Sequence, residues 1–331
     1  MRVLVTGGAG YVGAVSVAAL VEAGHEVVVL DDLSTGHRSA VPAAARLTIG
    51  SYGDGEAVSA LLAPERLEAI LHCAARSLVG ESIQDPARYY RDNVAGGVEL
   101  LEAARLRGVS RMVFSSTAAV YGDPVATPIP EDAALQPINT YGETKRTFEA
   151  AMAAYGSAYG LRSVSLRYFN VAGATADHGE VHDPETHLIP NLLAAADGRG
   201  APLTLFGDDY PTPDGTCVRD YIHVADLADA HIRALEATEP SDVRTTAPLT
   251  CNLGSGGGFS VNEVLEAAEQ VVGHPIPHTV GPRRAGDPPV LVADTSRAKE
   301  VLGWRPSSSS LAEMIGSAWE WRQRNPEGYR G

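Results

Sequence analysis

Arg2-Val3-Leu4-Val5-Thr6-Gly7-Gly8-Ala9-Gly10-Tyr11-Val12-Gly13 opens the chain after Met1, and its reading decides the fold. Arg2 to Thr6 is a short apolar, β-branched run, the composition of a buried strand. The glycine loop follows, then a helical stretch from Ala14 to Ala23 stopped by Gly24, then a second buried strand from Glu26 to Leu30 ending at Asp31-Asp32. Strand, glycine loop, helix and strand come in the order that a dinucleotide-binding unit requires. Gly7 allows the tight turn, Gly10 lets the backbone approach a pyrophosphate, and Gly13 lets helix and strand pack closely. The pyrophosphate would rest on free N–H groups at the helix N-terminus, where the dipole favours negative charge. Asp31 can accept from both ribose hydroxyls and would repel a 2′-phosphate, so NAD is expected rather than NADP.

Outward from this unit the alternation continues. Arg46–Ile49, Ala69–His72, Arg111–Ser115 and Ser163–Arg167 read as further strands, separated by helical stretches around Glu56–Leu62, Pro86–Arg107 and Tyr141–Tyr159. Strands alternating with helices of this length imply right-handed crossovers and a mainly parallel sheet, an α/β fold of the Rossmann-type doubly wound kind. After about residue 173 the pattern loosens into polar loops and short elements. These are a helix near His187–Ala196, a strand near Leu203–Phe206 and a helix near Ala225–Glu236. Ser260-Val-Asn-Glu263 and Ser310-Leu-Ala-Glu313 are capping boxes that start two more helices. Ser307–Ser310 is read as a turn before the second cap.

At 331 residues the chain can bury a large core and form two lobes. With 44% apolar and 20% charged residues it falls among ordinary globular proteins, and no apolar run is long enough to cross a bilayer. Met1 runs straight into the first strand, so no leader is expected. Cys73, Cys217 and Cys251 cannot form a complete set of pairs, which suits a reducing cytoplasm, the expected compartment. The ten histidines show no metal-site spacing, and no metal is expected. A net charge of −15 disfavours nucleic acid and membrane surfaces as partners.

Tyr141-Gly-Glu-Thr-Lys145 is the second informative stretch. Residues four apart share a helix face, and an ammonium beside a phenol favours the phenolate, as would a positive nicotinamide ring. A phenol tuned this way can remove a hydroxyl proton near neutral pH. Ser115-Ser116-Thr117 ends a strand at the edge where open α/β sheets bind ligands, and Thr117 could bridge the phenol and a substrate oxygen. Ser115 and Ser116 serve equally well as hydroxyls satisfying a strand end.

The glycine loop together with Tyr-x-x-x-Lys resembles the extended short-chain dehydrogenase/reductase superfamily. Gly80-Glu81-Ser82, Tyr89-Tyr90 with Asn93-Val94, Arg167-Tyr168-Phe169-Asn170, Gly215-Thr-Cys-Val-Arg-Asp-Tyr-Ile-His223 and Arg283-Arg284-x-Gly286-Asp287 narrow it to the UDP-glucose 4-epimerase family, over essentially the whole chain. The resemblance implies Tyr141 as the acid/base, Lys145 as its tuner and a holder of the nicotinamide ribose, and Thr117 as a bond to the sugar. It implies that Tyr11, Val12, Asp31, Asp32 and the loop Leu33, Ser34, Thr35, Gly36 hold the adenosine half of NAD. Ser51, Tyr52, Cys73, Ala74, Ala75, Ser77, Asn93, Ser115 and Phe169 would line the rest of the cofactor. Asn170, Leu188, Thr204, Phe206, Arg219, Tyr221, Arg284, Asp287 and Leu291 would hold the UDP-sugar, the forked arginines suiting diphosphate oxygens.

Residues 1–172, with 216–240 returning, would form the NAD-binding Rossmann domain. Residues 173–331 would form a smaller α/β UDP-sugar lobe, interleaved rather than autonomous, and the working form would be a homodimer paired through the helices of Asp92–Arg107 and Tyr141–Tyr159. Three positions depart from the family pattern. Ser51 replaces an aspartate facing adenine, Ser77 replaces a lysine near the nicotinamide ribose, and Leu291 replaces a tyrosine found in some members.

The implied reaction is 4-epimerisation of UDP-glucose and UDP-galactose through a 4-keto sugar, with the N-acetylhexosamine counterparts as further candidates. A 4-epimerase of a UDP-pentose or UDP-uronate stays open as an alternative. A 4,6-dehydratase would carry an Asp-Glu pair after the threonine, whereas Ala118-Ala119 follow Thr117 here. A non-catalytic NAD-sensing regulator would be expected to lose the Tyr–Lys pair, which is intact.

Overall fold

The computed structural model describes residues 1–200, 203–241, 247–284, 287–308 and 310–329. Gly286 of the Arg283–Asp287 motif and Ser309 of the serine turn lie outside the described residues.

The opening unit folds as β1 (Arg2–Thr6), α1 (Tyr11–Glu22) and β2 (Glu26–Asp31). Parallel pairing then adds β3 (Arg46–Ile49), β4 (Ala69–His72), β5 (Arg111–Thr117), β6 (Arg162–Tyr168) and β10 (Leu249–Leu253). The order is β10-β6-β5-β4-β1-β2-β3, with every neighbouring pair parallel. The chain winds one way from β1 to β3 and the other way from β4 onward. The crevice between β1 and β4 is therefore the switch point where such sheets bind ligands.

Strand side chains alternate between two cores, as period two demands. On one face Val3, Val5, Val27 and Val29 pack with Val17 and Leu20 of α1. On the other, Leu4, Val28, Leu30, Ile70, Met112 and Phe114 meet α2 (Gly55–Glu65), α5 (Gly96–Leu106) and α6 (Thr140–Tyr159). The stretch read as a single helix over Pro86–Arg107 is continuous but not uniform. A helical turn at Pro86–Tyr89 passes into a π-helical segment at Tyr90–Ala95 before α5 begins. The wider turn places Asn93 inward, 4% exposed.

The first face of the sheet takes in more of the chain than residues 1–172 and 216–240. It buries α8 (Val224–Ala237), and also β10 and the segment around α10 (Ser296–Val301), through Cys251, Leu253, Ala298, Leu302 and Trp304. The Trp304 indole N–H donates to the Asp226 carbonyl, and the Asp226 carboxylate accepts from the Ser307 and Ser308 amides, fastening this late segment to α8.

The smaller lobe has its own core, from α7 (Leu188–Ala196), α9 (Val261–Val272) and α11 (Leu311–Arg324) over the β8 (Leu203–Phe206) and β12 (His278–Gly281) pair. Both capping boxes form as their spacing predicts. A further small sheet centres on β9 (Val218–His223), with β7 (Asn170–Ala172) and β13 (Val290–Leu291) parallel to it and β11 (Gly258–Ser260) antiparallel. Among the described residues no helix is long and apolar enough to cross a membrane.

A buried ion pair seats α6 on the sheet. Arg167 of β6 donates to both carboxylate oxygens of Glu149, from Nε at 3.0 Å and from Nη2 at 2.5 Å, and the two side chains are 5% and 9% exposed. Ser116 of β5 donates to the same carboxylate at 2.5 Å. Removing one partner of such a pair strands a buried charge. Glu149→Ala is therefore expected to destabilise the fold by about 3–5 kcal/mol, read from the urea midpoint. A loss within the scatter of surface substitutions would show that Arg167 is satisfied by Tyr121 and the Glu131 carbonyl alone.

Candidate active site

The glycine loop has the shape its sequence calls for. Gly7 has φ +72°, and a Cβ there would stand 2.6 Å from the Ala74 amide nitrogen. A Cβ on Gly13 would stand 2.0 Å from the Gly7 carbonyl oxygen. At Gly10 a Cβ would meet nothing nearer than that oxygen at 3.5 Å, because Gly10 faces open space. That space is the start of a cleft of about 870 Å³ at the switch point. The first turn of α1 has no side-chain cap and no acidic residue, so its N–H groups point into the cleft free to take an anion.

Asp31 stands at the end of β2 with both oxygens engaged. Oδ2 accepts the Ala9 N–H at 2.9 Å and Oδ1 the Leu33 N–H at 2.9 Å. These bonds fix the carboxylate in place, and each oxygen keeps a lone pair for a hydroxyl donor. The cradle of glycines, free helix amides and one oriented carboxylate fits a dinucleotide with an unmodified ribose.

Further along the cleft Thr117, the last residue of β5, lies beside the Tyr141 phenol. Lys145 lies one turn below on α6, 3% exposed, with Nζ donating to the Ser115 carbonyl at 2.8 Å and standing 5.8 Å from the Tyr141 ring centre. Burial holds the ammonium down to about 8. Burial also pushes the Tyr141 phenol up to about 12, and the neighbouring Thr117 hydroxyl only partly offsets it. The sequence reading expects Lys145 to favour the phenolate. In the protein by itself Lys145 is turned toward the backbone and Tyr141 stays protonated, so another positive group is needed to complete the tuning.

Most of the expected cofactor residues come together on this cleft. Gly7, Gly10, Tyr11, Val12, Gly13, Asp31, Asp32, Ser34, Thr35 and Gly36 line one end, followed by Ser51, Tyr52, Cys73, Ala74, Ala75, Ser77 and Phe169. Three expected contacts sit behind the wall. Leu33 acts through its amide on Asp31. Ser115 supports Lys145 and donates to Cys73 Sγ. Asn93 braces the loop after β4, accepting the Arg76 N–H at 2.8 Å and donating to the Arg76 carbonyl at 3.0 Å.

The expected sugar-nucleotide residues are divided. Asn170, Asp287 and Leu291 line the cleft. Arg219 is paired with Asp287. Arg284 lies over the Phe206 ring at 4.2 Å, and Thr204 pairs with Thr279. Tyr221 is buried, and Leu188 packs against the core of the smaller lobe.

The sequence reading missed one constellation. Glu180, His182, Glu185 and His187, all on the loop before α7, bring one potential ligand atom each to within 4.8 Å of one another. The expectation that no histidine spacing resembles a metal site is corrected here. The signal was a doubled Glu-x-His, which the polar loop folds back on itself. Burial disfavours charge on these imidazoles, but the two carboxylates outweigh it and lift His182 to about 9 and His187 to about 10.

The model of the NAD dependent epimerase/dehydratase family matches residues 3–247. The chain belongs to that family. It is 51% identical to the UDP-glucose 4-epimerase of Corynebacterium glutamicum over 319 residues, 96% of this chain and 95% of the relative. The crystal structure of UDP-glucose 4-epimerase from Brucella ovis in complex with NAD superposes with a TM-score of 0.92 at 45% identity, covering 96% of this chain and 97% of that one. The UDP-Glc/GlcNAc 4-epimerase from Campylobacter jejuni superposes at 0.84 with 38% identity, over 98% and 99% of the two chains.

The shift on Tyr141 is directly testable. The phenolate absorbance of the cofactor-free protein, minus that of Tyr141→Phe, should stay flat through neutral and mildly alkaline pH and rise only toward about 12. A step near neutral pH would show that Lys145 tunes the phenol unaided.

Proposed function

We propose that this family member is an NAD-dependent 4-epimerase interconverting UDP-glucose and UDP-galactose through a 4-keto sugar. The observation that carries the reading is Tyr141, beside Thr117 and backed by Lys145, opening on the same cleft as the glycine cradle. Gly7, Gly10, Gly13 and the first amides of α1 would hold the pyrophosphate of NAD, with Asp31 on the adenosine ribose. When bound, NAD supplies a reversible acceptor for the hydrogen that C4 loses. Tyr141 takes the proton of the C4 hydroxyl as that carbon becomes a carbonyl, and returns a proton when the carbonyl is reduced from its other face. Thr117 keeps the phenol aimed at the sugar oxygen.

Ala118 and Ala119 line the cleft directly after Thr117 and offer no carboxyl group for the elimination of water. That absence of an acid favours epimerisation over dehydration. Arg219 and Asp287, with Asn170, would grip the nucleotide end, and the hexose would be left free to turn. The working form is read as a homodimer through α5 and α6, which leave Leu106 and Tyr159 at 66% and 57% exposure. The cytoplasm remains the expected compartment.

An assay with UDP-galactose and no added nicotinamide should yield UDP-glucose, and Tyr141→Phe should keep its fold and bound NAD while losing roughly 10²–10⁴-fold in rate. Near-wild-type turnover in that variant would remove Tyr141 from the chemistry.

Leu291 lines the cleft beside a small apolar cluster of Ala118, Phe169 and Ala293. A leucine leaves room that a tyrosine ring would fill, so the N-acetylhexosamine counterparts should also be interconverted. Leu291→Tyr should then lower kcat/KM for the N-acetylated pair far more than for the plain hexoses. The discrimination is about 1–3 kcal/mol per methylene-sized change. Inert N-acetyl substrates in wild type would show the space to be filled by other side chains.

A further inference from the structure

Glu180, His182, Glu185 and His187 stand apart from the chemistry assigned to Tyr141, and their geometry has its own reading. His182 Nδ1 lies 3.2 Å from Glu180 Oε1 and 3.5 Å from Glu185 Oε2. His187 Nδ1 lies 2.8 Å from Glu180 Oε1 and 2.9 Å from Glu185 Oε1. Each imidazole thus faces both carboxylates, and each carboxylate faces both imidazoles. Ligands bound tetrahedrally at ~2.0–2.1 Å stand about 3.3 Å from one another, and the four imidazole–carboxylate separations, 2.8 to 3.5 Å, bracket that value.

A second observation points inward. His182 Nδ1 is buried yet makes no hydrogen bond, despite two carboxylate oxygens within ion-pair reach. Its neighbours are held in place. The Glu180 side chain is only 8% exposed, and Glu185 Oε1 is fixed by the Thr186 and His187 amides at 2.7 and 2.8 Å. A divalent cation here would take the place of the two ring protons, leaving two carboxylates and two neutral imidazoles whose charge of −2 it cancels. Two nitrogen and two oxygen donors with no thiolate suit zinc and its neighbours better than calcium or magnesium.

We propose that these four side chains form a divalent transition-metal site, zinc in the first instance, that fixes the loop forming one wall of the cleft. Glu180, His182 and His187 line that wall. The loop already leans on the glycine unit. The Tyr11 hydroxyl donates to the Gly173 carbonyl, the His182 ring meets the Tyr11 ring edge-on, and His178 Nε2 bonds the Ala40 carbonyl at 2.9 Å. His187 is also the residue from which α7 starts. A cation bound here ties both ends of the 180–187 segment to each other and to that helix, a structural role rather than a catalytic one.

The test uses the full chain, stripped with a chelator and titrated with cobalt chloride. The expected result is saturable uptake of one cobalt per chain, with the visible bands of a tetrahedral ion, displaced by zinc chloride and accompanied by a rise in Tm. In His182→Ala and His187→Ala the affinity should fall by at least the roughly 10–100-fold that loss of an outer-shell partner costs. No saturable uptake, or uptake unchanged in folded variants, overturns the site. Should a variant fail to fold, X-ray absorption of the wild-type cobalt form decides. Two imidazole nitrogens with carboxylate oxygens uphold the proposal, and any other donor set overturns it.

Discussion

The closeness of Gly13 to the Gly7 carbonyl is the constraint on which the rest of the structure depends. With no Cβ at either residue, α1 can begin directly above the end of β1, with its first amides turned into the crevice beside β4. A side chain at Gly13 would push the helix off the strand, and with it the face of α1 that packs on α8 and completes the first core. The same contact thus sets a packing distance and turns uncapped amides into the cleft. A small backbone volume at two positions supports both the sheet and the chemistry at its edge.

The Tyr141 and Lys145 pair depends on a different balance. Burial alone keeps Tyr141 a neutral phenol and makes the Lys145 ammonium easier to deprotonate than in solution, since it opposes the charge on each. What remains is a pocket that leaves the phenol neutral until a positive group arrives beside it. The buried Arg167–Glu149 pair, one turn further along α6, fixes the helix that carries both residues.

How much of this was legible in the sequence follows from how local each feature is. The glycine loop, the carboxylate at the end of β2 and the four-residue spacing of Tyr141 and Lys145 are short-range patterns, and the fold uses each where the pattern puts it. The π-helical turn at Tyr90–Ala95 carries no such mark. The same residues suit an ordinary helix, and the inward turn of Asn93 answers to Arg76 and Thr144. The direction of Lys145 was hidden for a related reason: a neighbour at i+4 competes with a carbonyl on another element. The metal-like quartet was spelled out within eight residues, yet it reads as a polar loop until the chain's path brings its two halves together. Arginines assigned to a nucleotide turned out to have partners of their own in Asp287 and Phe206.

The seventh strand has a consequence for how the molecule is made. Because β10 is the outer neighbour of β6, the nascent chain carries β6 as an open edge from the moment Tyr168 leaves the ribosome until Leu253 follows. Unpaired strand edges of that kind recruit other strands. Closure of the same core also awaits Ala298, Leu302 and Trp304, close to the end of translation. The nucleotide-binding half, first to be synthesised, is among the last parts to become complete, and the interval between is when the growing chain most needs shielding from its neighbours.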